Sequence, residues 1–494
     1  MPREVRDAVV IGSGPGGLAG AVTLARAGLD VLVLEAQPTI GGGARTLDLG
    51  LAPGMRHDLC SAVHPLAIGS PFFRAFDLPA RGVELAVPEI AYAQPFEQRD
   101  AGIAYQDLDR TAAELGADGP AWRSLLGPLV EQIDAVIALG LGDHRTVPPE
   151  VLRPGGARAA AAFGAAVLEQ GTRAWDRRFS DQVAPALLTG VAAHTISPLP
   201  SLAAAGTALL LGALAHGVGW VIPVGGSQAI TDALTDDLRA HGGEIRTAEP
   251  VTTWRQLPRA RAYLVDTTPR GLVDIWGERM ASGHRAWFER FRHGNAAAKV
   301  DFVLSGPVPW RDARVGRAAT VHVGGSRAEM AAAENAVHAG RHADRPLTLV
   351  SDPTVADPSR GTGGLRPLWT YTHVPAGSDI DVTQTVTAQI ERFAPGFRDV
   401  VVASRCIPAR RMPEHNANYV GGDIAGGAVT MWRMAAGPRP GWHVYDGGIP
   451  GVYLCSQAVP PGPGVHGMTG WFAARRALRD RFGITVAPEL GPRG

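Results

Sequence analysis

Cysteine is scarce in this chain of 494 residues, and its charges of opposite sign balance. The three cysteines (Cys60, Cys406 and Cys455) are odd in number and far apart, which favours a reducing compartment and gives no metal-ligand spacing. The 47 basic and 47 acidic residues leave a formal net charge of zero, so the basic excess of a nucleic-acid-binding surface is missing. We therefore expect neither a metal centre nor a nucleic-acid partner.

Two further absences concern compartment and membrane. The first apolar strand pattern begins within about seven residues of the N-terminus, which leaves no room for a signal peptide and predicts a cytoplasmic protein. Residues 182–231 contain no Asp, Glu, Lys or Arg. Within them, residues 201–222 approach the length of a membrane span, but four glycines and His216 interrupt the apolar run. We expect a buried helix that lines an apolar cavity; peripheral membrane contact through residues 199–222 is the alternative.

The most informative feature that is present is a glycine-rich turn between an apolar strand and a helical pattern. Residues 12–17 read Gly-Ser-Gly-Pro-Gly-Gly. Gly12 permits the tight turn, Gly14 lets the backbone approach a phosphate, and Gly17 lets the helix pack against the strand. A second apolar run ends at Glu35, where a carboxylate can accept a hydrogen bond from a ribose hydroxyl. This pattern predicts a dinucleotide cofactor whose pyrophosphate lies at the helix N-terminus.

A second glycine turn indicates which dinucleotide is bound. Residues 41–43 are glycines, and Arg45 follows them with a rigid fork of donors that suits a pyrophosphate. A nicotinamide enzyme does not need this second anchor, whereas FAD, which is longer and fully buried, commonly has it. Near the C-terminus, an apolar strand at 452–455 and a Pro/Gly turn at 460–468 lead into a helix near Thr469. The positive end of that helix can stabilise a reduced flavin, so we predict FAD.

Six segments together resemble the phytoene-desaturase-like branch of FAD-dependent oxidoreductases, within the wider group of amine-oxidase-type flavoproteins. In chain order they are VVIGSGPGGLAGAVTLARAGLDVLVLEA, IGGGARTLDL, HDLCSAVHPL, VIPVGGSQAITDALTDDLRAHGGEI, NYVGGDIAGGA and GVYLCSQAVPPGPGVHGMTGWFAARRAL. The similarity spans nearly the whole chain. It implies an α/β fold in which a discontinuous Rossmann-like FAD-binding domain carries an inserted α+β substrate domain. It also implies a largely buried flavin.

The resemblance divides the chain into five parts. Residues 1–78, 220–285 and 441–494 would form the FAD-binding domain, residues 79–219 a mainly helical substrate region, and residues 286–440 the sheet region of the substrate domain. The expected FAD contacts are Gly12, Gly14, Gly16, Gly17, Glu35, Gly42, Gly43, Arg45, Val251, Gly464, Val465, His466, Gly467 and Met468.

Catalytic candidates come from residue type and position, because the resemblance supplies no triad to transfer. His466 lies in the turn expected at the flavin, and His64 lies in the segment HDLCSAVHPL. A histidine near the cofactor can act as a general base at neutral pH. Asp423 follows a glycine pair and can orient such a base. A structural role, satisfied by hydrogen bonds, is the alternative for each of the three.

These observations predict an FAD-dependent oxidoreductase of the desaturase or dehydrogenase type. Its substrate would be lipophilic, either isoprenoid or carotenoid-like or fatty, and hydride removal would form or shift a C=C bond. The one other G-x-G-x-x-G run, at residues 462–467, is the turn already expected at the flavin, so no further motif is left for a bound NAD(P)H; this favours oxygen, a quinone or another carrier as the electron acceptor. Three alternatives stay open: a flavin-dependent isomerase without net redox, an amine oxidase, and a non-enzymatic protein of the same fold that binds prenyl or lipid groups.

Overall fold

The computed structural model describes residues 4–492, which form two principal β-sheets surrounded by helices. The strands are β1 (Val5–Ile11), β2 (Val31–Leu34), β3 (Thr46–Asp48), β4 (Arg56–Asp58), β5 (Leu85–Ala86), β6 (Ile90–Gln94), β7 (Gly102–Tyr105), β8 (Ile222–Pro223), β9 (Glu244–Arg246), β10 (Arg259–Val265), β11 (Ala296–Leu304), β12 (Ala318–Val323), β13 (Thr348–Ser351), β14 (Arg366–Val374), β15 (Val401–Ile407) and β16 (Val452–Leu454).

The α-helices are α1 (Pro15–Arg26), α2 (Pro65–Gly69), α3 (Pro71–Phe76), α4 (Leu108–Glu114), α5 (Gly119–Glu131), α6 (Ile133–Gly140), α7 (Pro149–Leu152), α8 (Pro154–Gln170), α9 (Val183–Ala192), α10 (Leu202–Gly217), α11 (Gln228–Ala240), α12 (Pro269–Trp276), α13 (Ser282–Glu289), α14 (Arg327–His338), α15 (Thr383–Phe393), α16 (Phe397–Val400), α17 (Met431–Ala436) and α18 (Met468–Ala477).

The first sheet is parallel, with the strand order β16–β10–β1–β2–β9. Its strands come from three distant parts of the chain, so this sheet is complete only when the C-terminal segment returns to it. The whole of β2 is buried, as are the last four residues of β1, because helices cover both faces of a parallel sheet. The predicted α/β class, with a discontinuous Rossmann-like domain, is confirmed.

Helix α18 packs directly on α1, and glycines make that contact. A Cβ atom added to Gly470 would lie 1.8 Å from the carbonyl oxygen of Gly16 and 2.7 Å from the backbone nitrogen of Gly20. The two helix backbones therefore touch with no side chain between them. This contact sets the C-terminal Pro/Gly turn beside the N-terminal glycine turn.

The second sheet is mainly antiparallel, with the order β15–β11–β14–β13–β12–β6–β7. Its longest pairing joins β11 to β14 over nine residues each, and every residue of β11 is buried. The last two strands of this order, β6 and the edge strand β7, come from residues 79–219, the region expected to be mainly helical. That region does contain α4 to α10, but it also supplies one edge of the substrate-domain sheet.

The uncharged stretch at residues 182–231 forms α9, α10 and β8. Helix α10 is buried along most of its length and packs against α5, α8 and α9. Among the helices formed by residues 4–492, none combines the length and the apolarity that crossing a bilayer requires. Membrane contact through residues 199–222 stays a prediction.

The contact between α1 and α18 predicts the effect of adding one methyl group. We expect Gly470→Ala to lower the free energy of unfolding by about 1–3 kcal/mol, because the new Cβ overlaps the backbone of α1. The matched control is Gly164→Ala in α8, which is exposed; apart from its chain neighbours and the adjacent backbone of its own helix, no heavy atom of the described chain lies within 4 Å of the added Cβ. That change should raise stability by about 0.5–1 kcal/mol. Urea unfolding followed by circular dichroism measures both; equal effects would contradict the proposed overlap.

Candidate cofactor and substrate cavity

A cavity of about 1340 Å³ lies beyond the carboxyl ends of β1, β2 and β10. Ile11, Leu34 and Asp266 line it from these strand ends, and residues of α10 and of the second sheet line its other side. Ligands of parallel α/β sheets bind at such a position. A cavity that holds one small molecule usually measures roughly 300–1,000 Å³, so this one has room for a cofactor and a substrate together.

The glycine turn between β1 and α1 is shaped by close backbone approach. Gly12 has a φ of +98°, a conformation that favours glycine. A Cβ on Gly17 would lie 2.2 Å from the carbonyl oxygen of Gly12, and one on Gly14 would lie 2.5 Å from Oδ2 of Asp266. Gly12, Gly14 and Gly16 line the cavity, whereas Gly17 lies behind them against the strand. The turn therefore presents bare backbone at the N-terminus of α1.

Glu35 is held in place by the residues around it. Its Oε2 accepts hydrogen bonds from the Ser13 backbone N–H at 2.8 Å and from the Ser13 hydroxyl at 2.6 Å. Its Oε1 accepts from the Gln37 N–H at 2.8 Å. The carboxylate is 8% exposed and lines the cavity. A carboxylate can accept about four hydrogen bonds, so Glu35 keeps capacity for a hydroxyl group of a ligand.

The second glycine turn brings Arg45 to the same part of the cavity. Arg45 Nε donates to the Gly42 carbonyl at 2.8 Å, Nη1 donates to the Thr39 hydroxyl at 3.0 Å, and Nη2 donates to the His415 carbonyl. Three of the five guanidinium N–H donors are thereby used, which leaves two for an anion. A Cβ on Gly42 would lie 2.9 Å from Gly14 Cα, so the two glycine turns touch. Gly42, Gly43 and Arg45 all line the cavity.

The C-terminal turn reaches the cavity through Gly464, Val465 and Gly467. His466 lies within this turn but does not line the cavity. Its Nδ1 accepts from the Met468 N–H at 3.0 Å, and its Nε2 donates to the Gly462 carbonyl at 3.0 Å. Both ring nitrogens are therefore used in holding the turn, and burial lowers the pKa of His466 to about 4. Met468 is buried and also lies away from the lining.

The other predicted catalytic residues occupy different surroundings. Asp423 is buried outside the lining, where Oδ2 accepts from the Gly294 N–H at 2.9 Å and Oδ1 accepts from the Ala425 N–H at 3.0 Å. Asp423 also faces His293 Nδ1 at 3.1 Å. These contacts give it a loop-anchoring role, and its catalytic role stays a prediction, as does that of His466. His64 and Val251 both line the cavity.

The protonation of His64 follows from its neighbour. The Ser227 hydroxyl donates to the Ser61 carbonyl at 2.6 Å, so its oxygen is the acceptor for His64 Nε2–H at 2.7 Å. The proton of the neutral ring is therefore on Nε2, which leaves Nδ1 as an unprotonated acceptor. Burial lowers the pKa of His64 to about 4, so the ring is neutral at pH 7.

The two ends of the cavity differ in charge. The acidic and basic side chains of the lining come from two stretches, residues 35–45 and 249–289: Glu35, Arg45, Glu249, Asp266, Arg270, Asp274, Glu278, Arg285 and Glu289. Within the described chain, residues 140–220 and 320–434 contribute no Asp, Glu, Lys or Arg to the lining. Their contribution includes Leu210, Leu211, Trp220, Leu349 and Trp369. We call the part of the cavity lined by residues 140–220 and 320–371 the substrate chamber, for the role proposed below; its lining contains no carboxylate, guanidinium or ammonium group.

The motifs found in the sequence do not include three residues at or near this chamber. His194 and Tyr371 line it from distant parts of the chain. Lys299 is the one lysine among 494 residues, and it is buried, paired with Asp301 and 5.9 Å from the ring centre of Trp369. The sequence could have singled out Lys299, because it is the one lysine in a chain whose other permanently charged basic side chains are arginines.

Comparisons with known proteins agree with this architecture. The profile of a family described as an NAD(P)-binding Rossmann-like domain matches residues 10–77. The pyridine nucleotide-disulfide oxidoreductase domain-containing protein 2 of Rattus norvegicus is 24% identical over 96% of this chain and 93% of its own. An uncharacterized protein of Mycobacterium tuberculosis is 26% identical over 96% of this chain and 97% of its own.

Solved structures resemble the whole chain in fold. A putrescine oxidase variant superposes with a TM-score of 0.61 at 15% identity, over 98% of this chain and 100% of the other. Cyclohexylamine oxidase from Brevibacterium oxydans gives a TM-score of 0.58 at 15% identity, over 98% and 99%. At this level of identity the likeness establishes the fold and leaves the substrate open.

Asp266 gives the cavity a pH-dependent component. Its Oδ2 accepts from the Gly17 N–H at 3.0 Å, but burial raises the pKa of its carboxyl group to about 7. The folded protein therefore binds this proton more tightly than the unfolded chain does. The resulting stability is fully present below about pH 4 and is lost as pH rises through about 7.

We expect Asp266→Asn to remove this pH dependence. Between pH 5 and pH 8 the unmodified protein should lose roughly 2–3 kcal/mol more unfolding free energy than the variant does. Urea unfolding at the two pH values measures the difference. Asp134→Asn is the control, because Asp134 is an exposed carboxylate paired with Arg74 at the surface. If Asp266→Asn and the unmodified protein lose the same stability, the buried carboxyl is not the titrating group.

Proposed function

We propose that this chain is an FAD-dependent oxidoreductase of the phytoene-desaturase-like type, which removes a hydride from a lipophilic substrate to form or shift a C=C bond. The observation that carries the proposal is the division of one cavity into a nucleotide end with charged and backbone donors and a substrate chamber without charge. Oxygen or a quinone would accept the electrons. The Rossmann-like domain and the flavoenzyme-like fold support the class of enzyme.

The residues present fit an FAD molecule. Bare backbone at Gly14 and Gly16, together with two unused N–H donors of Arg45, would hold the pyrophosphate. Glu35 would accept from a ribose hydroxyl, and Val251 would lie at the adenine. A bound flavin supplies hydride acceptance, which is the difficult part of the chemistry.

The protein would contribute substrate binding, exclusion of water and one proton acceptor. Apolar side chains of α10 and the second sheet bury hydrocarbon, and such burial contributes about 25 cal/mol per Å². His64 Nδ1 is unprotonated at neutral pH and faces no protein donor among the described residues, so it can receive a proton from a substrate. Ser227 keeps the ring in this tautomer.

An amine oxidase is the second candidate, since the structural relatives include a putrescine oxidase and a cyclohexylamine oxidase. An alkylammonium ion would need a carboxylate partner when it leaves water. The part of the substrate chamber described here has no carboxylate in its lining. A neutral lipophilic substrate therefore fits the chamber better than a protonated amine. An isomerase without net redox would use the same chamber, as would a lipid-binding protein.

The cofactor assignment predicts a yellow protein whose colour depends on Glu35. We expect the purified protein to show the absorbance bands of oxidised flavin, and Glu35→Leu to weaken FAD affinity by about tenfold or more, because the ribose loses its acceptor. Equilibrium dialysis against FAD measures the affinity. Glu89→Leu is the control, because Glu89 pairs with Arg110 and Arg317 at the surface. A folded protein that stays colourless and cannot be loaded with FAD would favour the lipid-binding alternative.

The chamber predicts which substrates reduce the flavin. Under anaerobic conditions we expect isoprenoid or fatty substrates to bleach the flavin absorbance, and putrescine and cyclohexylamine to leave it unchanged, because the chamber gives an ammonium group no counter-ion. Stopped-flow absorbance gives the rates. Rapid bleaching by amines with none by lipids would establish the amine oxidase instead. Turnover only after prior reduction, with no acceptor consumed, would establish the isomerase.

A further inference from the structure

His194 brings an imidazole ring into the substrate chamber, whose lining has no charged side chain. It lies in the short 3-10 turn Ala193–Thr195 that follows α9, and its ring lines the cavity. Its Nε2 is 2.9 Å from Nε2 of His322, which lies on β12 and is fully buried. The two rings stand nearly perpendicular, with centroids 5.1 Å apart. Gly190 provides the space, because a Cβ there would lie 2.7 Å from the His322 side chain.

One proton lies between the two Nε2 atoms. The surroundings of the buried His322 ring determine which histidine donates it. His322 Nδ1 is buried and has no hydrogen-bond partner among the described residues. An N–H at that atom would be an orphaned buried donor, which proteins rarely contain, whereas an unpaired acceptor costs less. The proton of His322 therefore lies on Nε2 and is donated to His194 Nε2. Because His194 Nε2 is then the acceptor, the proton of the neutral His194 ring lies on Nδ1.

Both rings are neutral under ordinary conditions. Burial lowers the pKa of His194 to about 3 and holds the pKa of His322 well below its usual value. Neither ring is paired with a carboxylate within residues 4–492; the nearby Glu334 is bonded to His373 at 2.6 Å. His194 thus offers an uncharged N–H donor that His322 fixes.

His194 Nδ1 has no hydrogen-bond partner in the described protein, although its residue lines the chamber. Trp220 stands edge-on to the His194 ring at 5.7 Å, and Leu211 and Leu349 line the same chamber. The Tyr371 hydroxyl can rotate to act as donor or acceptor, whereas the His194 N–H can only donate. A pure hydrocarbon would leave this donor unpaired in a dry chamber, and an oxygen atom at that position would satisfy it.

We propose that His194 Nδ1–H, held in this tautomer by His322, binds a carbonyl, ether or hydroxyl oxygen of the substrate, so that the substrate is an oxygenated lipid. The inference rests on the proposed function only for the identification of the chamber as the substrate site. The proposal narrows the substrate class to lipids that carry an oxygen atom at one required position on the hydrocarbon. His322 acts as a positioning residue, since it orients the donor without lining the cavity.

Binding of two matched ligands tests the donor. The probes are a medium-chain methyl ketone and the alkane of equal length, delivered from cyclodextrin, and calorimetry measures their binding to the protein as purified. We expect the ketone to bind about tenfold or more tightly, and His194→Phe to abolish the preference while alkane binding persists. His216→Gln is the control, because His216 is buried and bonded to Trp122 outside the cavity lining. An equal affinity of the unmodified protein for both probes would overturn the proposal.

Two variants of His322 test the positioning role. His322→Gln keeps a donor that can reach His194 and should retain the ketone preference, whereas His322→Leu lets His194 change tautomer and should reduce it. Retention of the full preference in His322→Leu would overturn the positioning role.

The tautomer of His194 can also be observed directly in the unmodified protein, with no ligand bound. In the protein with ¹⁵N-labelled histidine, the nuclear magnetic resonance signal of His194 should have the chemical shifts of a ring protonated on Nδ1. This signal is assigned by its absence from the spectrum of His194→Phe. An Nε2–H ring at His194 would overturn the inference. If the protein prefers the ketone but cannot bind flavin, the proposed function is refuted and this inference is not. If lipid substrates reduce the bound flavin but the protein shows no ketone preference, this inference is refuted and the proposed function is not.

Discussion

Backbone contact at the N-terminus of α1 is the constraint on which the cavity depends. Gly16 meets Gly470 of α18, Gly14 meets Gly42 of the second glycine turn, and Gly17 meets Gly12. Each contact is too close for a side chain, so three distant segments of the chain can converge on one helix end. The unsatisfied N–H groups and the positive dipole of that end are thereby left open to a phosphate.

The nucleotide end could be predicted from the sequence because its signals are local. Glycines at fixed spacing, the acid at Glu35 and the arginine after the second turn each follow a strand or turn that the sequence also reveals. The substrate chamber could not be predicted in the same way. His194, Leu349 and Tyr371 come from separate segments with no shared spacing, and β6 and β7 join the second sheet through a long-range pairing that no local pattern records.

Residue type and proximity to a cofactor turn are insufficient to identify a reactive group. His466 lies in the expected turn, yet both of its ring nitrogens are used to hold the backbone. Asp423 follows a glycine pair, yet both of its oxygens anchor a loop. What distinguishes His64 and His194 is one ring atom left unpaired toward the cavity, with its tautomer fixed by a neighbour. That property depends on partners from Ser227 and His322, so it becomes visible only in three dimensions.

The charge distribution explains why the two ends of the cavity must recognise ligands differently. A pyrophosphate is bound by opposite charge and by N–H donors, and the nucleotide end supplies both. In the substrate chamber an ionised side chain would lose its hydration without a partner, and the chain places only neutral groups there. For the lipophilic substrate proposed above, buried apolar area would contribute affinity that is insensitive to where along a hydrocarbon the contact falls. Selection of one bond for reaction would then require a directional contact, and a fixed N–H donor such as the proposed His194 Nδ1–H would supply direction without introducing charge.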